Sequence, residues 1–238
     1  MGFSMKRINT LVLKEIKDLL RNVNVFVVSL IPLVGTIFFS MMGPKEEVRM
    51  QVLLIIFIMN SALITPMTMA MLIAEEKEKN TLRTLMLSTV SPVEFLVGKA
   101  IVTWLLVGIT NIGIFLIIQA PNKFLPMYIV IAFLISTIMI LIGAIIGILS
   151  KNVMSSGTNS MPVILLFYFI PTLGVANKTL LHIAKLLPTY HSQSLMDKML
   201  NNENIFSVGQ QNILVLLVWI IISFAGFIMI YKRKRIDG

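Results

Sequence analysis

The chain has 238 residues, of which 57% are hydrophobic and only 13% are charged. A soluble domain carries roughly 25% charged residues, so this composition excludes an ordinary soluble protein and indicates an integral membrane protein. The net charge of +9 does not indicate nucleic-acid binding, because the basic residues lie at the edges of apolar runs, where anionic lipid headgroups of the bilayer attract them.

Residues 5–22 are predicted to form an amphipathic helix, with apolar residues on one side and basic residues mostly on the other. This pattern is typical of a helix that lies in the membrane interface before the first span. A secretory signal peptide is not expected here, because Lys14, Glu15, Lys17 and Asp18 interrupt what would be its apolar core.

Six uncharged segments follow, and each has roughly the ~20 residues that an α-helix needs to cross the hydrocarbon. They lie at about 23–42, 51–74, 100–121, 125–149, 159–177 and 210–231. The sequence therefore predicts an all-α integral membrane fold in which residues 1–238 form a single transmembrane domain. The fifth segment contains Pro162 and Pro171, so we expect it to be kinked or partly unwound.

Lysine and arginine are unevenly divided between the two sides that six spans create. Fourteen fall on the side shared by the termini, and six fall on the other side. Because cytoplasmic loops carry the excess of basic residues, we expect both termini in the cytoplasm and a multi-pass protein of the plasma membrane. Residues 178–209 then form the long external segment, in which we expect one or two short helices divided at residues 188–191.

Residues 75–99 contain the largest cluster of charge and connect the second and third spans. Leucines at helical spacing predict a short helix in the middle, and the break at Ser91-Pro92 followed by Glu94 predicts the start of another. A structured loop of this kind is typical of a surface that binds a partner. A solvated loop whose leucines pack on the membrane surface is the alternative that composition leaves open.

The positions of the ionisable residues argue against several functions. No Asp, Glu, Lys, Arg or His lies inside the six segments. This disfavours transporters driven by protons or by carboxylate-bound sodium, which commonly place such groups at membrane depth, and intramembrane hydrolases, which need them. No metal site is predicted, because the chain lacks cysteine and its two histidines have no acidic neighbours at ligand spacing. No phosphate-binding loop of the G-x-x-x-x-G-K-[ST] kind is present, so energy from ATP must arrive through another polypeptide.

The 75–99 segment resembles the cytoplasmic loop of permease subunits of ATP-binding cassette (ABC) transporters, specifically the type-2 exporter group. That loop typically reads Glu-Glu-Lys-Glu, Gly-Thr, spaced leucines, Pro-Val-Ser, Glu and then Gly-Lys, and the same order is kept here. Two positions depart from it: Asn80 stands where glycine is usual, and Thr89 stands where the first proline is usual. Asparagine tolerates left-handed backbone angles, so Asn80 is expected to keep the same turn. Residues 14–21 and 187–191 resemble the family's interfacial helix and its Pro-x-Tyr element, so the resemblance covers essentially the whole chain.

The resemblance implies a permease that pairs with a second copy or a paralogue and docks on a cytoplasmic ABC ATPase subunit through a coupling helix. ATP and Mg²⁺ would then be bound by the ATPase, and this chain would bind no cofactor and catalyse no reaction. Leu85, Leu87 and Val90 are expected to supply apolar anchors, and Glu94 a charged contact. The full set of residues that the resemblance assigns to coupling is Glu75, Glu76, Thr81, Leu85, Leu87, Val90, Ser91, Glu94, Gly98 and Lys99.

A pathway for cargo is expected where the second and fifth spans of two copies face each other. The residues proposed to line it are Phe57, Asn60, Thr65, Asn159 and Phe167. Their apolar surroundings suit an amphipathic or lipid-like cargo better than a hydrated ion. Packing between helices within one chain is the alternative interpretation of the same residues.

Other functions of a six-span protein remain as alternatives at this point. A non-transporting immunity, sensor or assembly factor of the same fold would share the spans without stimulating an ATPase. A passive channel is less well supported because the spans offer no ring of charge, and an intramembrane enzyme lacks a catalytic pair.

Overall fold

The computed structural model describes residues 5–19, 22–42, 46–81, 91–174 and 177–236, and all regular secondary structure within these ranges is helical. Six helices in the described ranges are long and apolar enough to cross a membrane, which confirms the predicted all-α membrane fold. We number them spans 1 to 6: Val23–Met41, Glu47–Glu78, Pro92–Ile118, Asn122–Leu149, Val153–Gly174 and Gln210–Arg233. The helix Met5–Leu19 precedes them, and the short helices Lys178–Ala184, Pro188–Leu200 and Ile205–Val208 lie between spans 5 and 6.

Spans 2 and 4 form the centre of the bundle, and most of their residues are buried, whereas spans 1, 5 and 6 are largely exposed on the outside. Two glycines allow this central pair to approach closely. A Cβ atom at Gly147 would lie only 2.7 Å from Ile73 Cβ and 2.8 Å from the Ala70 carbonyl oxygen. Gly143 likewise faces the backbone of Pro66. The G-x-x-x-G pattern of span 4 therefore acts as a helix-packing motif against span 2.

The two ends of the bundle differ in their polar residues. At the first, which we call the charged end, Lys77 Nζ donates hydrogen bonds to the carbonyl oxygens of Ile148, at 2.9 Å, and Ser150, at 2.6 Å. The rings of Phe95 and Tyr231 meet at the same end, with centroids 5.8 Å apart. The charged end therefore gathers the last turns of spans 2, 4 and 6 and the first turn of span 3.

The opposite end carries the three short helices. His191 bridges two segments there, with Nδ1 2.8 Å from Asn212 Oδ1 and Nε2 2.9 Å from the Lys185 carbonyl oxygen. Trp219 Nε1 also donates to the Leu186 carbonyl oxygen at 2.9 Å. Residues 188–191, expected to divide two helices, instead form the first turn of Pro188–Leu200, because proline is well suited to the first helical position.

Spans 2 and 5 both depart from regular α-helix near prolines. Span 2 contains the π-helical turn Asn60–Ile64 directly before Pro66, and Thr65 Oγ1 donates to the Asn60 carbonyl oxygen at 2.8 Å. In span 5, the π-helical turn Leu165–Phe169 follows Pro162. Proline has no N–H to donate and interrupts the α-helical hydrogen-bond ladder, so a wider turn close to Pro66 in span 2, and another between Pro162 and Pro171 in span 5, are consistent with these residues.

Candidate functional site

A buried cluster of charge lies at the charged end, where the helix Met5–Leu19 packs over the ends of spans 2 and 3. Lys99 Nζ lies 2.7 Å from Glu15 Oε2 and 3.2 Å from Glu76 Oε1. All three residues are nearly inaccessible, with exposed fractions of 2% for Lys99, 2% for Glu15 and 6% for Glu76. Because each residue belongs to a different helix, their ion pairs hold the N-terminal helix, span 2 and span 3 together.

Lys14 completes this group, which we call the Lys99 cluster (Lys14, Glu15, Glu76 and Lys99). Lys14 Nζ donates to the Glu76 carboxylate and lies 3.5 Å from Glu15 Oε1. Burial by itself would lower the pKa of Lys14, but the hydrogen bond to Glu76 and the nearby negative charges outweigh it and raise the pKa. Two ammonium groups thus face two buried carboxylates, and the partly exposed Lys14 also lies 3.6 Å from Asp18 Oδ2.

A second ion pair fixes the start of span 3. The Arg7 guanidinium contacts Glu94 Oε1 through Nε at 3.0 Å and Nη2 at 2.9 Å, and the Glu94 side chain is fully buried. The Ser91 N–H donates to Glu94 Oε2 at 2.8 Å, and Ser91 Oγ accepts from the Glu94 N–H at 3.2 Å. This reciprocal capping box explains why the helix begins at Pro92.

The expected charged contact between Glu94 and an ATPase does not match this placement. The carboxylate of Glu94 points into the protein, where Arg7 and the Ser91 backbone bind it. Inside the protein, the Glu94 carboxylate caps the first turn of span 3 and binds Arg7 of the N-terminal helix. Glu94 is thus placed to position the segment before it, and its contact with an ATPase stays a prediction.

The last turn of span 2 is held by the same cluster. Thr81 Oγ1 donates to the Glu76 carbonyl oxygen at 3.0 Å and also to the Glu76 carboxylate. Glu75 accepts from Lys79 at 2.5 Å and from the Asn22 side-chain amide. Asn80 has a φ of 57°, the left-handed conformation expected where the family has glycine.

Residues 82–90, with the predicted apolar anchors Leu85, Leu87 and Val90, lie outside the described residues. The chain on either side of them is described, and both sides are fixed. Thr81 binds Glu76 before the segment, and Ser91 binds Glu94 after it. The two described residues that flank this segment are therefore hydrogen-bonded to the ion-paired residues Glu76 and Glu94.

Gly98 allows the N-terminal helix to lie directly on span 3. A Cβ atom at Gly98 would come 3.0 Å from Leu11 Cβ, closer than most Cβ contacts in proteins. The Gly98-Lys99 pair therefore combines close approach at one residue with an ion pair at the next. Sequence reasoning named this pair but missed its partners on the N-terminal helix. Their signal was the four-residue spacing of Leu11 and Glu15, which places both on one helical face.

The residues proposed to line a cargo pathway are not brought together on one surface. Asn60 is fully buried, and its Nδ2 lies 3.0 Å from Asn111 Oδ1 and 3.3 Å from Thr110 Oγ1. Phe57 is also fully buried, with its ring centroid 5.7 Å from that of Tyr128. Together with the Thr65 hydrogen bond to Asn60 described above, these contacts fit the packing interpretation within one chain.

The two candidates from span 5 lie elsewhere. Asn159 is exposed near the charged end, and its Nδ2 donates to Ser150 Oγ at 3.0 Å. Phe167 is buried against Trp219, with ring centroids 5.6 Å apart. Within the described parts of the chain, no group of three or more His, Cys, Asp or Glu residues could hold a metal ion.

A comparison with protein families gives one match. A family model described as an ABC-2 family transporter protein matches residues 8–229. The matched region includes the Lys99 cluster, all six spans except the last residues of span 6, and the three short helices at the opposite end. A comparison with curated proteins finds no match.

Proposed function

Because the chain belongs to the ABC-2 family of transporter proteins and is a permease subunit of an ABC transporter, we propose that it exports an amphipathic, peptide, drug or lipid-like substrate from the cell. A separate cytoplasmic ATPase would bind ATP and Mg²⁺ and supply the energy. The absence of ionisable residues from the six apolar segments supports this assignment, since proton- or sodium-driven carriers commonly place ionisable groups at membrane depth.

The observation that carries the proposal is that both residues flanking 82–90 bind ion-paired carboxylates. Thr81 binds Glu76 of the Lys99 cluster, and Ser91 binds Glu94, which pairs with Arg7. An ATPase that moves this segment would pull on Thr81 and on Ser91 at once. Glu76 and Lys99 are paired to each other and to the N-terminal helix, so spans 2 and 3 would follow as one unit. Separating these charges inside the protein is costly, which makes the cluster a suitable mechanical link.

The proposed orientation places the charged end in the cytoplasm. Fourteen lysine and arginine residues belong to that side of the predicted topology and six to the other. The N-terminal helix would then lie at the cytoplasmic interface, with the docking segment beside it. The three short helices would lie at the outer face.

We propose that two permeases associate through span 5. Its exposed side carries an apolar stripe of Met161, Leu165 and Phe169, with exposed fractions of 56%, 58% and 43%. Span 2 offers much less, because most of its residues are already buried within the chain. Asn159 is exposed on the same span, so of the proposed pathway residues it is the one best placed to meet cargo in a seam.

Cross-linking in native membranes tests the proposed function. The chain contains no cysteine, so a single cysteine at Leu87 provides a unique attachment point for a heterobifunctional reagent. We expect it to capture an ABC ATPase subunit, identified by mass spectrometry, while a cysteine at Glu203, exposed at the opposite end, captures none. Failure to capture an ATPase from position 87 while export is active would exclude this docking surface.

A further inference from the structure

An open groove of about 790 Å³, which we call the acidic groove, lies at the end of the bundle opposite the charged end. Glu47, Met50 and Leu54 of span 2 form one side, and Asp197 and Leu200 of the helix Pro188–Leu200 form the other. Small-molecule sites occupy roughly 300–1,000 Å³, so the acidic groove is large enough to hold a ligand.

The two carboxylates of the acidic groove lack a cationic partner among the described residues. Neither Glu47 nor Asp197 forms an ion pair or a side-chain hydrogen bond there. Partial burial raises the pKa of Asp197, and within the described chain no positive charge offsets this effect. Both side chains belong to exposed residues, so a ligand in the groove can reach them.

The described basic side chains closest in sequence to these carboxylates are held elsewhere. Lys198 Nζ donates to the Val208 carbonyl oxygen at 2.7 Å, and Arg49 Nη1 donates to Gln119 Oε1 at 3.1 Å. The acidic groove therefore keeps a local negative charge, although the chain as a whole has a net charge of +9. Charge complementarity consequently favours a cationic ligand.

Charged and apolar residues follow one another along the groove. Glu47 is the first residue of span 2, and Leu54 lies about 10 Å deeper in the bundle, since an α-helix rises 1.5 Å per residue. Met50 lies between them on the same helical face. Met50 and Leu54 are half-buried, whereas Glu47 is exposed. The groove is therefore charged at its mouth and apolar towards the membrane interior.

We propose that the acidic groove binds a cationic amphiphile, a molecule with a primary amine at one end and an alkyl tail at the other. The ammonium group would face Glu47 and Asp197, and the tail would lie along Met50 and Leu54. An anionic lipid is disfavoured, because among the described residues no lysine or arginine lines the groove. A simple metal cation would leave the apolar part of the groove unused. Binding needs neither an ATPase nor export, so this inference stands or falls separately from the proposed function.

Photolabelling of the full chain in dodecyl maltoside, an uncharged detergent, tests the site. The probes are dodecylamine with a diazirine near the end of its tail and the matching dodecanol, which lacks the positive charge. We expect the amine to label the peptide that contains Met50 and Leu54, with a saturable dependence on its mole fraction in the micelles. Because two partly exposed ion pairs are lost, the alcohol should bind roughly tenfold more weakly.

Variants at single carboxylates separate groove binding from general attraction to the surface. Asp197→Asn removes one groove charge with little change in shape and should weaken binding roughly threefold, and adding Glu47→Gln should bring the loss to roughly tenfold. Glu203→Gln removes an exposed carboxylate at the same end but outside the groove, so it is the matched control and should bind as the parent does. Unfolding midpoints should stay unchanged, because the groove carboxylates have no partner to lose within the described chain.

Three results would overturn the proposal. The first is equal labelling by the amine and the alcohol, or labelling by the amine that Glu47→Gln combined with Asp197→Asn leaves unchanged. The second is equal competition by unlabelled dodecylamine and by lysyl-lysine, which has the charge without the tail and would assign the groove to basic peptides. The third is saturable labelling that appears only in Lys45→Gln, which would make Lys45 of the same chain the occupant.

Discussion

Lys99 and Glu15 lie 84 positions apart in the chain, yet Lys99 Nζ lies 2.7 Å from Glu15 Oε2 inside the protein. The N-terminal helix is thereby attached to the start of span 3 by a charge that solvent does not screen. Glu76 shares the same ammonium at 3.2 Å, so the end of span 2 joins the contact. One lysine therefore links the N-terminal helix, the end of span 2 and the start of span 3.

Replacing Lys99 with methionine should detach the N-terminal helix. The substitution leaves Glu15 and Glu76 buried with only Lys14 between them, and breaking a buried ion pair costs about 3–5 kcal/mol. We expect a lower midpoint in thermal unfolding followed by tryptophan fluorescence. A cysteine at Leu11, which faces Gly98, should also react faster with maleimide.

Two further variants make the Lys99 result specific. Lys79→Met removes a pair with Glu75 in which the lysine side chain is 60% exposed, so we expect a loss of at most about 1 kcal/mol. Lys99→Met combined with Glu15→Gln should recover part of the lost stability, because one unpaired charge disappears as well. Full stability of Lys99→Met alone would show that the cluster does not hold these helices.

The contact between spans 2 and 4 predicts that alanine destabilises the protein at Gly147, inside the contact, but not at Gly108, outside it. Gly147→Ala places a Cβ atom 2.7 Å from Ile73 Cβ, so the spans must separate, at a cost of about 1–3 kcal/mol. Gly108→Ala meets nothing within 4 Å and should stay within about 1 kcal/mol of the parent. Unfolding midpoints of the two variants, compared in one detergent, give the test. Similar midpoints would mean that the close packing is not what stabilises the pair.

The sequence predicted the spans well because the hydrocarbon imposes a simple length and polarity rule on each helix. The helices nevertheless run beyond the apolar segments, since span 2 continues to Glu78 and span 3 begins at Pro92. The additional turns carry the charges of the Lys99 cluster. The Ser91-Pro92 break followed by Glu94 predicted the start of a short helix, and the structure shows that this start, closed by a capping box, belongs to span 3 itself.

The partners of the site residues were harder to predict. The pairing of Glu15 with Lys99 depends on how the N-terminal helix packs, which Gly98 permits but local sequence does not specify. The inward orientation of Glu94 depends on Arg7, which comes from another helix. Asn60 could line a pathway or fill the interior, and only the position of Asn111 distinguishes these cases. Each of these features is set by tertiary contacts and not by periodicity.

The proposed orientation predicts which positions react from outside the cell. Cysteine at Lys232, exposed near the C-terminus, should be protected from a membrane-impermeant maleimide in intact cells. Cysteine at Glu203, exposed at the opposite end, should be labelled. The chain has no other cysteine to confuse the result. Labelling of position 232 before the cells are permeabilised would show that the true topology is the inverse of the proposed one.

The docking proposal predicts that Leu87→Asp uncouples ATP hydrolysis from export. A charge at an apolar anchor should prevent the ATPase from seating, while the spans, which lack this residue, still insert. We expect normal amounts of the variant in the membrane, loss of export and ATPase activity that no longer responds to the permease. Leu105→Asp is unsuitable as a control, because it would place a charge on the lipid-exposed side of span 3. Leu87→Ile keeps an apolar side chain at the anchor, so it serves as the control and should retain export.

Asn60 distinguishes a packing role from a pathway role in span 2. If its hydrogen bonds to Asn111 and Thr110 serve packing, Asn60→Leu should lower stability by about 0.6–2 kcal/mol. Ser61→Ala is the matched control at the next position, because the Ser61 hydroxyl is buried without a partner in the described part of the chain and its loss removes no bond. Unfolding midpoints of the two variants compare these effects directly.

Accessibility of position 60 completes the test. In the structure this side chain is fully buried, so a cysteine there should resist a water-soluble methanethiosulfonate reagent both with and without ATP and its ATPase. Protection in both states, together with the loss of stability, would assign Asn60 to packing within the bundle. Labelling that appears only during ATP turnover, with stability unchanged in Asn60→Leu, would instead place Asn60 on the route of the cargo. The pathway would then have to open between span 2 and span 3, where Asn111 now covers it.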